Sequence, residues 1–152
     1  MIRQVKMEEL VPIFREQLEN DKKVQFTPAG MSMRPMLDDK ADRVFVERAS
    51  KENVKKWDVV LFESDNGAYI MHRVVRLDDD GFITRGDNNC YNDKKQSYDA
   101  LIGRVYQYEH KGKMHGVTDT SYRFYVIVWM TCYLPRKIFR KIKQKIRKIM
   151  IK

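Results

Sequence analysis

Residues 57–89 read WDVVLFESDNGAYIMHRVVRLDDDGFITRGDNN. Two runs rich in Val, Ile, Phe and Tyr, 57–62 and 68–77, flank the turn signal Asp65-Asn66-Gly67. A third run, 81–84, follows Asp78-Asp79-Asp80 and ends at Gly86-Asp87-Asn88-Asn89. Apolar runs of this length between Gly, Asp and Asn clusters predict strands joined by hairpins. The pattern continues outward. Residues 24–27, 43–47 and 100–108 are further strand candidates, with turn signals at 28–30 and 38–39. Residues 23–119 are therefore expected to form a compact, mainly antiparallel β domain.

Helical periodicity brackets this region. Over 5–19, Met7, Leu10, Val11, Phe14 and Leu18 recur at three- and four-residue steps, with Glu8, Glu9, Arg15 and Glu16 between them. This predicts an amphipathic helix within an N-terminal segment, 1–22, that packs on the core or anchors at an interface. At the other end, 120–152 combines the apolar run 124–134 with a basic stretch. Ile138, Ile142, Ile146 and Ile149 share one side of a helix, widened by Phe139 and Met150. Pro135 is expected to separate the two pieces.

The charge is just as uneven. Of 152 residues, 30 are Lys or Arg and 21 are Asp or Glu, a net charge of +9. Nine of the cations lie between Arg136 and Lys152, where there is no acid, so the rest of the chain is neutral overall. A basic amphipathic helix suits an anionic membrane surface. Phosphate binding would explain the charge but not the apolar stripe, so no nucleic-acid partner is expected. No apolar run reaches membrane-spanning length, the first ten residues lack the apolar core of a secretion signal, and Cys90 and Cys132 alone make no disulfide framework. The expected location is peripheral, at a membrane surface reached through the basic helix.

Three segments look unlike plain strands and turns. Gly30-Met31-Ser32-Met33-Arg34-Pro35 places a serine between a flexible entry and a rigid exit, which presents a hydroxyl beside backbone N–H groups. Tyr69-Ile70-Met71-His72-Arg73-Val74-Val75 is a strand carrying one histidine. Ile83-Thr84-Arg85-Gly86-Asp87-Asn88-Asn89 is a strand end and polar turn, with Asp93 shortly after. A serine hydroxyl needs a base within hydrogen-bond reach to act as a nucleophile. An imidazole suits that task near neutral pH.

In this order, and with Trp57-Asp58-Val59-Val60-Leu61-Phe62 between them, the segments resemble the signal-peptidase clan of serine proteases. That clan includes type I signal peptidases and self-cleaving repressors. The histidine strand resembles the Ser–His branch, and the reduced layout with a basic C-terminal tail is similar to small members from clostridia-like bacteria. The resemblance covers roughly residues 24–108. It implies a signal-peptidase- or repressor-protease-like coiled β domain, with an N-terminal amphipathic helix and a C-terminal basic helix. It also implies a serine endopeptidase that uses no cofactor or metal and cleaves a signal or leader peptide from a peptide or preprotein substrate.

The residue roles follow. Ser32 is the expected nucleophile and His72 the general base and acid. Asp93 is the orienting acid, with Asp87 as its rival or as a brace for the turn. Gly30, Met31 and Met33 are the expected substrate-binding and oxyanion segment. Many signal peptidases carry a serine two residues before the nucleophile. Gly30 stands there, so that hydroxyl donor is missing. His110 and His115 flank Lys111-Gly112-Lys113, a spacing that makes no metal site without a carboxylate or cysteine brought nearby, and no metal is expected there. The alternative is a catalytically inactive peptide- or membrane-binding β domain of the same fold. A DNA-associated, self-cleaving regulator would need an upstream recognition helix, for which residues 1–22 are too few.

Overall fold

The structure, a computed structural model, describes residues 7–150, except the side chains at 140, 141, 144, 145 and 148–150. Residues 5 and 6 of the expected N-terminal helix, and the Ile149 and Met150 side chains, lie outside the described residues. The chain divides into two compact units, one ending at Thr118 and one beginning at Asp119.

The first unit is a seven-stranded antiparallel sheet: β1 (Val24–Phe26), β2 (Arg43–Arg48), β3 (Val59–Glu63), β4 (Tyr69–Asp78), β5 (Gly81–Arg85), β6 (Leu101–His110) and β7 (Lys113–Gly116). The order is β1-β2-β6-β3-β4-β5, with β7 also on β6. β6 is the hub. Residues 103–109 pair with β2, while the other edge is shared between β3, at 101–104, and β7, at 107–110. Register shifts at Phe45/Val46, Leu61/Phe62 and Val74/Arg76 bend three of the pairings, as bulges do where a sheet curls.

Val54, Val60, Phe62, Val74, Phe82 and Leu101 form a buried cluster, in which Phe62 and Phe82 meet edge to face at 5.5 Å. Because β3, β4 and β5 each contribute to this cluster, slipping any of them by one residue would turn its apolar set outward. That cost fixes the register that carries His72.

The expected N-terminal helix is α1 (Met7–Glu19). Its Val11, Phe14 and Leu18 are buried, and Phe14 packs on Phe26 of β1 at 5.5 Å. α1 is thus part of the sheet unit rather than a separate segment, and the apolar stripe that could have been an interfacial anchor faces the sheet. Pro12 removes one helical donor without ending the helix, because packing of this face outweighs local propensity.

Three expectations differ from the structure. Trp57 and Asp58 are not strand: Trp57 has φ +80° and donates its N–H to Val74 O at 2.9 Å, so the chain turns before β3. β7 was not expected, since Lys113-Met114-His115-Gly116 lacks an alternating apolar pattern. It forms because Lys111 and Gly112, both at positive φ, make a two-residue hairpin turn. Finally, Pro135 does not separate the C-terminal pieces. α2 (Thr120–Thr131) ends at Cys132, and Pro135 is the third residue of α3 (Tyr133–Met150). Proline is tolerated in a first turn, where its missing N–H has no helical acceptor.

Within the second unit, the Arg136 guanidinium lies 3.5 Å over the Trp129 ring and donates to the Trp129 carbonyl. Trp129 in turn stacks on Tyr125. No described helix is long and apolar enough to cross a membrane.

Candidate active site

Ser32 lies on a turn-rich loop between β1 and β2. Gly30 enters the loop at φ +101°, a conformation that L side chains rarely adopt. The loop is tied to itself: Gly30 N donates to Asp39 Oδ1 at 2.6 Å and Lys40 N to Pro28 O at 3.1 Å. Met33, Met36 and Leu37 are buried and anchor it from below.

The Gly86–Asn89 turn holds the same loop from the other side. Asn88 N donates to Ser32 O at 2.8 Å, and Asn88 Nδ2 donates to Met31 O at 3.1 Å. The approach is so close that a Cβ on Gly86 would lie 2.7 Å from Ser32 O and 2.8 Å from Asn89 Nδ2. Glycine is required there by space.

His72 stands on β4 opposite Val60 of β3 and is 7% exposed. Its Nδ1 is 2.6 Å from Asp93 Oδ2. Asp93 is itself pinned to β5, accepting from Thr84 Oγ1 at 2.7 Å and donating its N–H to Thr84 O at 2.8 Å. A carboxylate on Nδ1 keeps the proton on that nitrogen and leaves the Nε2 lone pair available as a base. The tautomer follows from this hydrogen bond.

Asp87 does not reach His72. It accepts from Arg73 Nε and Nη2, both at 2.7 Å, and both side chains are fully buried. Arg73 also donates to Trp57 O at 2.9 Å and to Met36 Sδ at 3.3 Å. Asp87 is thus the brace of the turn, and its rival role as orienting acid is corrected. Neighbouring residues on a strand point to opposite faces, so β4 gives His72 to one carboxylate and Arg73 to the other.

Ser32 and His72 line one cavity of about 880 Å³, together with Gly30 and Met33. Its remaining wall is mostly apolar, including Met7 and Leu10 of α1, Phe26 of β1, and Leu37, Leu61 and Ile70. Met31 does not line it and is 57% exposed. The Gly30 N–H is already taken by Asp39, so Gly30 contributes space rather than an oxyanion donor. Among the described residues no protein acceptor takes the Ser32 N–H, and Ser32 Oγ and His72 Nε2 form no hydrogen bond with each other. The pair is open in this state. Hydrogen bonds between a serine and a neighbouring imidazole at such a cavity can be long in the absence of a ligand.

Some supporting residues escaped the sequence. Thr84 and Arg73 lie in the polar-turn and histidine segments, but nothing in the sequence assigns either a role: Thr84 donates to Asp93 and Arg73 holds Asp87. His110 has a carboxylate after all: its Nδ1 is 2.6 Å from Asp42 Oδ2, and Asp38 is close by. Asp42 also accepts from the Asp38 N–H at 2.6 Å and the Lys111 N–H at 3.1 Å. Burial pushes the Asp42 pKa up, but the bonds from His110, Asp38 and Lys111 outweigh it and hold it below the usual carboxylate range. Arg34 pairs with Asp38 at 3.1 Å. With these donors in place the cluster clamps the far end of the Ser32 loop onto the β6–β7 hairpin. His115 stacks on Tyr108 instead, at 5.1 Å, and Cys90 is half-buried just past the Gly86–Asn89 turn, outside the cavity lining.

No family model matches the chain, and no curated protein matches it.

Proposed function

We propose that this chain is a serine endopeptidase of the signal-peptidase type, with the coiled β domain of that clan, acting on an extended leader or signal peptide. The observation that carries the proposal is the 2.6 Å His72–Asp93 contact at a cavity that also contains Ser32.

Ser32 Oγ attacks the scissile carbonyl as its proton passes to His72 Nε2. Asp93 keeps the ring oriented and stabilises the imidazolium. The negative charge on the carbonyl oxygen is met by the Ser32 N–H, and such a donor is typically worth about 3 kcal/mol in the transition state. The C–N bond then breaks, and the imidazolium proton leaves with the amine. Water, deprotonated by the same imidazole, releases the acyl group and restores the serine. No step requires a cofactor.

β1 supports an extended substrate. It ends the sheet order, and its Phe26 lines the cavity only six residues before Ser32. A peptide added along that edge would gain backbone hydrogen bonds and run toward the serine.

The second reading is an inactive peptide-binding domain, favoured by the open Ser32–His72 pair. Peptide cleavage by wild type and Ser32→Ala separates the two. The proposal expects cleavage in wild type and loss of essentially all of it in Ser32→Ala, with peptide still bound. Binding without cleavage in wild type would establish the binding module instead.

A further inference from the structure

From its α3 helix, we infer that the second unit docks this protein onto an anionic lipid surface. The inference is independent of the peptidase proposal. Leu134, Ile138, Phe139, Ile142 and Ile146 are 50–68% exposed. Leu134, Ile138, Ile142 and Ile146 follow one another at four-residue steps, each advancing about 40° around the helix. They form a single stripe, and Leu134, Pro135, Ile138, Phe139 and Ile142 line one continuous apolar groove. An uncovered apolar face of this size on a soluble surface marks a contact.

The charge identifies what the contact is with. From residue 120 to 152 there are ten Lys and Arg and no Asp or Glu. Lys143 and Arg147 are exposed and sit about 100° around the helix from Ile142 and Ile146. Cations therefore flank the stripe rather than interrupt it. A second protein chain would need a strongly acidic groove to accept this face, and a phosphate backbone would leave the isoleucines in water. An anionic bilayer satisfies both halves at once: acyl boundary for the stripe and headgroups for the cations. α3, roughly 27 Å long, would lie in the interface, which agrees with the absence of a spanning helix among the described residues.

The test is flotation of the full-length chain with vesicles of phosphatidylcholine alone, or mixed with equal phosphatidylglycerol. Binding is expected only to the mixed vesicles, weakened in about 0.5 M KCl, where the screening length falls to ~4 Å. Two variants resolve the contributions. Ile138→Glu/Ile142→Glu should lower the partition coefficient roughly 100-fold by removing stripe burial. Lys137→Glu/Lys143→Glu/Arg147→Glu should lower it by a similar factor or more while leaving the stripe intact. Because these positions lie in the second unit, circular dichroism should report an unchanged sheet in both. Failure to bind mixed vesicles overturns the inference. Equal binding to both vesicle types, or binding indifferent to the isoleucine substitutions, also overturns it. Homopolymeric RNA binding or self-association in place of vesicle binding would reassign the face.

Discussion

Replacing Asp87 by Asn tests the division of labour between the two carboxylates. The substitution keeps the side-chain shape but removes the charge that Arg73 faces through two 2.7 Å hydrogen bonds. Neither side chain is exposed to solvent, so water cannot readily replace the lost partner. Removing one member of a buried ion pair typically costs about 3–5 kcal/mol, most of it the penalty of the charge left behind. Domains of this size have about 5–15 kcal/mol in total. With a urea dependence of roughly 1.5 kcal/mol per molar, the unfolding midpoint should fall by about 2–3 M, best measured near 15 °C, where stability is greatest. Asp93→Asn should behave in the opposite way. Its carboxylate is partly exposed, so stability should fall by only about 1 kcal/mol, while peptide cleavage drops roughly 10³- to 10⁴-fold, as in Ser-His-Asp triads. A midpoint for Asp87→Asn within about 0.5 M of wild type, or a stable Asp87→Asn protein as inactive as Asp93→Asn, would refute this assignment.

Two further predictions concern the Ser32 loop. Gly86→Ala places a methyl group 2.7 Å from Ser32 O; it should destabilise the unit by about 1–3 kcal/mol and slow cleavage at least ten-fold, with mobility changes at residues 31–33 and 88 readable by amide hydrogen exchange. Asp42→Asn should cost about 1–3 kcal/mol at neutral pH, because a buried acceptor with three donors loses its charge. The Asp42 pKa is lower folded than unfolded, so its stabilisation is present above the ordinary carboxylate value and is lost as pH falls through the folded value. The stability gap between wild type and Asp42→Asn, followed by chemical denaturation, should therefore persist from about pH 5 upward, begin to narrow near about pH 4 and vanish only below the folded Asp42 value.

The sequence made the strands legible wherever burial repeats locally. Val59–Glu63 and Tyr69–Asp78 lie in the interior of the sheet, so their apolar runs stand out. The His72–Asp93 relation is expected only from the resemblance, in which an acid follows the Gly-Asp-Asn-Asn turn; Asp87 stands beside it as a rival until the structure shows Arg73 claiming that carboxylate. Arg73 could not be placed, since its burial depends on Asp87 arriving from another turn, and single-strand alternation carries no trace of that. The Asp42–His110 clamp spans 68 positions and exists only because β2 pairs with β6. Trp57 misled for a related reason: an aromatic before a Val-rich run favours strand, but its N–H is claimed by Val74 across the sheet. Pro135 misled because proline ends a helix from within yet fits the first turn of one.

The most direct measurement of the central claim is the rate at which Ser32 is modified by a fluorophosphonate, followed by intact mass and peptide mapping, in wild type and His72→Gln. One adduct, on Ser32, is expected in wild type, forming about 10²- to 10⁴-fold faster than in the protein without the imidazole. An adduct elsewhere, or equal rates on Ser32 in both proteins, would contradict it.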